Sequence, residues 1–280
     1  MGRVLVLGYS GQLASSLRDV INDAIFASRT GPVKIDLLNT NTVFDRLSSV
    51  NPDLIINAAG FTSVDRCETE KENAYIVNGL SVREITRYCR QRKVPLIHIS
   101  TDYVFDGIDG NYAEESIPNP VNFYGLSKLV GDTFALSYDN SIVIRTSGVF
   151  GSSKNFPVFV LERLRKNEKV LVIEGYYSPI FSGLLGKTVQ QLIKLDYRGI
   201  INVAGERISR MGFAKLIANK FGLDKGLLAN SSGDLNLAAK RPYDSSLNII
   251  KAKGVLKFDF FSTYRNLEEF YNQVYKGKQF

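Results

Sequence analysis

Residues 3–22 read RVLVLGYSGQLASSLRDVIN, with glycines at Gly8 and Gly11 and alanine at Ala14. A run of leucine and valine precedes the glycines and an amphipathic stretch follows them, which predicts a strand, a glycine turn and a helix. In such a turn, backbone N–H groups and the helix N-terminus face an anion, and a side chain would block its approach. The spacing therefore favours a dinucleotide pyrophosphate, although a plain strand-to-helix turn can have the same spacing.

The same alternation continues along the chain. Short apolar runs predict strands at 24–28, 33–36, 54–57, 96–100, 141–145, 170–173 and 199–203, and helices are predicted at 41–50, 68–92, 121–138, 156–167, 186–195 and 211–221. Asn78-Gly79 is expected to break the second of these helices in two. The pattern indicates an α/β fold, a doubly wound parallel sheet of the Rossmann type with helices on both faces. We expect a nucleotide-binding domain over 1–150, completed by part of 180–205, and a smaller α/β substrate-binding lobe over 151–280.

Composition excludes several classes of protein. The chain has 280 residues, of which 44% are hydrophobic and 22% charged, as in soluble globular proteins. No apolar run approaches the roughly 18 residues of a membrane helix, and the N-terminus enters a strand directly, so no membrane partner, no signal peptide and a cytoplasmic location are expected. A single histidine and two cysteines argue against metal ligation and disulfides. The net charge of +7 is spread along the chain, which suits a diphosphate substrate better than nucleic acid.

The end of the second predicted strand points to the cofactor. An NAD-binding fold usually places an acidic residue there to bind the ribose hydroxyls, whereas this chain has Ser28-Arg29-Thr30. An arginine with neighbouring hydroxyls suits a 2′-phosphate. NADPH is therefore the expected cofactor, with NADH left open.

Two side chains of the helix predicted at 121–138 are candidates for the chemistry, although a tyrosine and a lysine at this spacing are also common as a plain surface pair. Tyr124 and Lys128 are four residues apart, so they lie on one face about one turn apart. An ammonium beside a tyrosine lowers its pKa by stabilising the phenolate, which would make Tyr124 a usable acid. The hydroxyls of Ser100 and Thr101 follow a strand at the edge where an open parallel sheet binds its ligand.

Together these segments resemble the dTDP-4-dehydrorhamnose reductase family of the extended short-chain dehydrogenases/reductases. The matching motifs are Gly8-x-x-Gly11-Gln12, Asn57-Ala-Ala59, Thr62-x-Val64-Asp65-x-x-Glu68, Val77-Asn78, Ser100-Thr-Asp-Tyr-Val-Phe-Asp-Gly107, Tyr124-Gly-x-Ser-Lys128, Arg145-Thr-Ser147 and Arg241-Pro-x-x-Ser-Ser-Leu247. They occur in the family's order over nearly the whole chain.

The resemblance implies an activity and a set of site residues. It implies NADPH-dependent reduction of the C4 keto group of a nucleotide-linked 4-keto-6-deoxy sugar, dTDP-4-dehydrorhamnose in the family, by an enzyme that needs no metal. Tyr124 would protonate the sugar oxygen, Lys128 would lower the tyrosine pKa and bind the nicotinamide ribose, and Thr101 would hydrogen-bond the substrate oxygen. The implied cofactor residues are Gly8, Tyr9, Ser10, Gly11, Gln12, Leu13, Ser28, Arg29, Asp36, Leu37, Ala58, Ala59, Gly60, Thr62, Tyr124 and Lys128. The implied sugar-binding residues are Asp102, Tyr103, Val104 and Ser147.

The sequence also departs from the family and leaves alternatives open. Family members commonly carry tryptophan where this chain has Gly148, which predicts a roomier sugar pocket unless Tyr176 or Tyr177 fills the space. Pro179-Ile180 stands in place of the family's Pro-Thr.

A sugar-nucleotide epimerase or dehydratase shares the scaffold, but dehydratases have Asp-Glu after the active-site threonine, where this chain has Asp102-Tyr103. A non-catalytic regulatory subunit, similar to the methionine adenosyltransferase beta subunit, is a second alternative. Many relatives are dimers, so a homodimer is the implied assembly.

Overall fold

The computed structural model describes residues 2–231 and 237–276. The strands are β1 Val4–Leu7, β2 Ile25–Ser28, β3 Val33–Lys34, β4 Leu54–Asn57, β5 Leu96–Ile99, β6 Ser141–Arg145, β7 Val170–Val172, β8 Tyr176–Tyr177, β9 Gly199–Asn202, β10 Ile208–Ser209 and β11 Leu228–Asn230. The α-helices are α1 Gln12–Arg18, α2 Thr40–Val50, α3 Val64–Thr69, α4 Lys71–Tyr75, α5 Ser81–Arg92, α6 Phe123–Leu136, α7 Phe156–Arg165, α8 Ser182–Lys194, α9 Arg210–Lys220, α10 Ile250–Val255 and α11 Thr263–Lys276.

Seven strands form one parallel sheet in the order β3-β2-β1-β4-β5-β6-β9. The order reverses beside β1, so the predicted doubly wound α/β fold is confirmed. The register places Leu7 beside Asn57 and Asn57 beside His98. The carboxyl ends of β1, β4 and β5 therefore meet at one edge, and the loops that follow them face a common space.

The seventh strand comes from far along the chain. β9 pairs with β6, matching Ile142 with Gly199 and Arg145 with Asn202. The helix before it, α8, packs on α1, where the buried Ser16 hydroxyl donates to the Ser182 hydroxyl at 2.8 Å. The segment from α8 to β9 thus extends the first lobe's sheet, while the two small sheets β8–β10 and β7–β11 lie outside it. The boundaries 1–150 and 151–280 remain a proposal, and residues 1, 232–236 and 277–280 fall outside the described residues.

The predicted break at Asn78-Gly79 is wrong. The chain stays helical through this region, and α4 passes into α5 by way of a π-helical turn, Ile76–Leu80. Glycine is needed there for packing, since a Cβ at Gly79 would lie 3.0 Å from a methyl carbon of Val130 on α6. The Asn78 side chain accepts the N–H of Phe61 at 2.8 Å and donates to the Ser127 hydroxyl at 2.9 Å. The turn therefore joins the loop after β4 to α6.

Apolar side chains cover both faces of the sheet. One cluster lies under α1 and α8 and extends into the second lobe, and another lies under α2 and α5. Strands β1, β2, β4, β5 and β6 each contribute residues that are completely or almost completely buried. Among the described residues, no helix combines the length and the apolar character needed to cross a membrane.

Candidate active site

A cleft of about 780 Å³ opens along the carboxyl edge of the sheet. Fifteen of the sixteen predicted cofactor residues line it: Gly8, Ser10, Gly11, Gln12, Leu13, Ser28, Arg29, Asp36, Leu37, Ala58, Ala59, Gly60, Thr62, Tyr124 and Lys128. The exception is Tyr9, whose exposed ring lies against the Arg18 guanidinium, 4.4 Å from the ring centroid. The assignment of Tyr9 as a cofactor-binding residue stays a prediction.

The glycine turn after β1 is shaped to admit a group at the helix N-terminus. Gly8 has a φ of +104°, a conformation that disfavours any side chain, and a Cβ there would lie 2.9 Å from the Ala58 carbonyl. Its N–H donates to the Ala27 carbonyl at 2.9 Å, and its carbonyl accepts the Gly11 N–H at 2.8 Å. The turn is held close to the neighbouring loop, and the first N–H groups of α1 are directed to the cleft, as pyrophosphate binding requires.

Charge near the ribose end of the cleft comes from Arg29. Its side chain is exposed, and no hydrogen bond or ion pair joins it to another residue in the described part of the chain. Ser28 beside it accepts the Thr30 N–H at 3.3 Å. Asp36 lies on the same wall, where its carboxylate accepts the Leu38 N–H at 3.0 Å. An unpaired guanidinium at this position suits the 2′-phosphate of NADPH.

Tyr124 lies near the N-terminus of α6, on the cleft wall beside Thr101. The helix begins after Asn122, whose side chain accepts the Gly125 N–H at 2.8 Å and so fixes the first turn. Burial raises the pKa of Tyr124 above its ordinary value, and hydrogen bonding with Thr101 partly offsets that rise. The phenol is therefore protonated at neutral pH, the form required of a proton donor.

Lys128 is buried one turn along α6. Its ammonium donates to the Ile99 carbonyl at 2.7 Å, and burial lowers its pKa to about 8. We expected Lys128 to lower the pKa of Tyr124, but the pKa of Tyr124 is raised, since burial of the ring outweighs the other influences. The ammonium can still stabilise the phenolate that is left after proton transfer.

Asp102 lies on the cleft wall, yet both of its carboxylate oxygens are already engaged. One accepts the Thr101 hydroxyl at 3.1 Å, and the other accepts the hydroxyls of Ser147 at 2.7 Å and Ser245 at 2.6 Å. The Thr101 hydroxyl also accepts the Tyr103 N–H at 3.2 Å. Asp102 and Ser147 are almost completely buried, so these hydrogen bonds fix the loops around the site, and the contact of the two residues with the sugar stays a prediction.

The other two predicted sugar-binding residues differ from each other. The side chain of Val104 is completely buried in a cluster with Phe105 and Leu247, and the contact of Val104 with the sugar stays a prediction. Tyr103 is partly exposed, and its ring meets the Tyr124 ring edge-on at a centroid distance of 5.8 Å. Of the four predicted sugar-binding residues, Tyr103 is thus the one with a partly exposed side chain that also contacts the ring of Tyr124.

The space next to Gly148 is filled. Gly148 has a φ of +50°, and a Cβ there would lie 2.6 Å from the Tyr177 ring. Tyr177 comes from β8 of the second lobe and is mostly buried. The sequence predicted either a roomier sugar pocket here or a tyrosine of the second lobe in the space. In the structure, Tyr177 occupies it.

A family model described as the RmlD substrate binding domain matches residues 2–276. The chain belongs to this family. It is 33% identical over 293 residues to the dTDP-4-dehydrorhamnose reductase of Aggregatibacter actinomycetemcomitans, covering 96% of this chain and 99% of that protein. The family resemblance deduced from the motifs is therefore confirmed.

Solved structures of the RmlD family show the same architecture. The crystal structure of a hypothetical dTDP-4-dehydrorhamnose reductase from Sulfolobus tokodaii is 44% identical, has a TM-score of 0.87 and covers 92% of this chain and 96% of that one. The dTDP-4-dehydrorhamnose reductase of Bacillus anthracis, solved in complex with NADP, is 27% identical with a TM-score of 0.90, covering 96% of this chain and 98% of that one.

Several cleft residues of this RmlD-family chain were not predicted from the sequence. Ser153 and Lys154 line the cleft after β6, and the Ser153 hydroxyl donates to the Gln12 side chain. Arg66, Glu70 and Asn73 line its outer rim. None of them lies in a glycine turn or beside the Tyr-Lys pair, so no local pattern singled them out. Ser245, whose hydroxyl donates to Asp102, lies within the family motif at 241–247, and that motif was the feature of the sequence that could have indicated it.

Proposed function

We propose that the chain is an NADPH-dependent oxidoreductase that reduces the C4 keto group of dTDP-4-dehydrorhamnose to give dTDP-L-rhamnose. The observation that carries the proposal is the continuity of the cleft, which runs from the glycine turn past Arg29 to Thr101, Tyr124 and Lys128. Relatives of the same family named dTDP-4-dehydrorhamnose reductase, one of them solved with NADP, support it.

The cleft fits the cofactor at the positions that a dinucleotide requires. A Cβ at Gly8 would collide with the loop after β4, so only glycine permits the tight turn that faces the pyrophosphate. Arg29 offers a free guanidinium to the 2′-phosphate. Bound NADPH supplies the hydride for the C4 carbon. The protein supplies the proton, the binding and the exclusion of water.

Three side chains divide the remaining chemistry. Tyr124 is protonated at neutral pH and donates its hydroxyl proton to the C4 oxygen as negative charge develops there. Lys128, fixed by the Ile99 carbonyl, stabilises the resulting phenolate. Thr101 lies beside the tyrosine, and its hydroxyl donates to the Asp102 carboxylate at 3.1 Å. With Asp102 engaged and Tyr103 following it, no acidic pair is available for the elimination that a dehydratase performs.

The direct test is NADPH oxidation assayed against a panel of nucleotide-linked 4-keto-6-deoxy sugars. We expect turnover with dTDP-4-dehydrorhamnose and formation of the 4-hydroxy product by mass spectrometry. Tight NADPH binding without turnover on any keto sugar would refute the reductase proposal and favour a regulatory subunit. Conversion without net NADPH consumption would favour an epimerase or dehydratase.

Three finer parts of the proposal rest, in turn, on the family resemblance, on the composition of the chain and on its pattern of strands and helices. They are a homodimeric assembly, a cytoplasmic location, and the division into a cofactor-binding domain over 1–150 and a substrate-binding lobe over 151–280. Light scattering after gel filtration tests the first. A crystal structure with a bound sugar nucleotide tests the last, since the sugar should contact second-lobe residues such as Tyr177.

A further inference from the structure

Three charged or titratable side chains lie close together beneath Lys128 and do not line the cleft. They are His98 of β5, Asp132 one turn further along α6, and Arg145 of β6. Each is 3% exposed or less. The His98 Nε2 lies 3.4 Å from the Lys128 Nζ and 3.7 Å from an oxygen of Asp132, and the Arg145 Nε lies 3.5 Å from the other oxygen.

The cluster holds two basic side chains and one carboxylate. Asp132 is the acidic group that opposes the effect of burial on the Lys128 pKa. The other titratable groups around this face are His98, Arg145 and, on the cleft side, Tyr124. A buried ammonium is costly unless an opposite charge lies nearby. Burial also raises the pKa of Asp132, and the charges of Arg145 and Lys128 partly offset that rise, so Asp132 and Lys128 favour each other's charged form.

His98 links this cluster to the cofactor wall without adding charge. Its Nδ1 lies 3.2 Å from the Asn57 amide nitrogen, which can only donate, so the proton sits on Nε2, facing Asp132. The Asn57 orientation agrees with its oxygen accepting the Ala59 N–H at 3.3 Å. Burial lowers the His98 pKa well below its ordinary value, so the ring is neutral. A chain of polar contacts thus runs from Ala59 on the cleft wall to Asp132.

We propose that Asp132 is a positioning residue for the reduction, and that its carboxylate, held between His98 and Arg145, keeps Lys128 charged and in place beneath Tyr124. This inference rests on the proposed function. The separations of 3.5 and 3.7 Å around the carboxylate are longer than ordinary hydrogen bonds, and neither oxygen has a hydrogen-bond partner at normal distance among the described residues. Asp132 therefore acts on Lys128 mainly through its negative charge. Asp132→Asn removes that charge and keeps the shape of the side chain, so it tests the charge alone.

The test measures the protonation of Lys128 directly. Protein labelled with ¹³C at the lysine ε-carbon is titrated by NMR without cofactor, and the Lys128 signal is assigned by its loss in Lys128→Met. A neighbouring opposite charge raises the pKa of an ammonium, so Asp132→Asn should lower the Lys128 midpoint, by about one unit at the lower end of the usual range. Asp132→Glu should restore most of the shift. Glu84→Gln is the matched control, because Glu84 is a similarly buried carboxylate paired with Arg83 and Arg87, and it should leave the midpoint unchanged.

The same variants are then assayed for NADPH oxidation across pH. The alkaline fall in kcat/KM should move to lower pH by the same amount in Asp132→Asn, whereas a purely structural role would lower activity equally at every pH. An unchanged Lys128 midpoint in folded Asp132→Asn overturns the inference. A shifted midpoint in a protein that reduces no keto sugar supports the inference about Lys128 and refutes the proposed function.

A measurement on the wild type covers the case in which Asp132→Asn does not fold. The Asp132 side-chain carboxyl, labelled with ¹³C and assigned by its loss in Asp132→Glu, should change its chemical shift at the Lys128 midpoint because the two groups share one electrostatic environment. A carboxyl signal that shows no step at that midpoint also overturns the inference.

Discussion

Raising the pH through 8 should slow the reduction steeply because Lys128 loses its proton. Burial lowers the pKa of Lys128 to about 8 and raises that of Tyr124, so the lysine is the first of the two to deprotonate. The charged lysine is the active form, hence activity is present below this pKa and lost above it. A group with a pKa of about 8 is roughly nine-tenths charged at pH 7 and one-tenth at pH 9, which predicts a fall in kcat/KM of about tenfold.

The assay is the initial rate of NADPH oxidation at low substrate concentration, because kcat/KM reports groups of the free enzyme. Lys128→Arg is the informative control: a guanidinium keeps its charge at pH 9, so whatever activity remains should be nearly independent of pH over this range. Two results would refute the reasoning. One is a wild-type profile that stays flat to about pH 10, and the other is an alkaline fall of the same size and midpoint in Lys128→Arg.

Three further predictions concern the proton donor, the cofactor and the sugar. Tyr124→Phe should keep the fold and NADPH binding while turnover falls by roughly 10² to 10⁴, and retention of more than about a tenth of turnover, with chemistry rate-limiting, would disprove the assignment. Arg29→Ala should weaken NADPH binding about tenfold or more, as measured by fluorescence titration, and leave NADH binding nearly unchanged, so equal losses would contradict a 2′-phosphate contact. Tyr177→Leu should open the space against Gly148 and widen the range of keto sugars reduced, and an unchanged ratio of kcat/KM values would show that the ring does not border the sugar.

Local patterns in the sequence determined much of the fold and the cofactor wall. Strand and helix periodicities are local, so the alternation that builds the parallel sheet was visible without contacts. The spacing of Tyr124 and Lys128 followed from helix geometry alone. Gly79 shows the limit of such patterns. A glycine within a helical pattern indicates a break. In the structure, its lack of a side chain lets α6 pack closely against this segment, and the chain stays helical through a π turn.

Only the tertiary structure decided which polar groups face each other and what they do to one another. Asp102 follows β5, but two of the hydroxyls that donate to its carboxylate come from Ser147 and Ser245, far along the chain. The ring of Tyr177 reaches Gly148 only because β8 folds back over the first lobe. Burial, which depends on all of these contacts, raises the pKa of Tyr124 where the sequence predicted a decrease. Charge interactions and desolvation depend on distances in space, and sequence separation does not fix those distances.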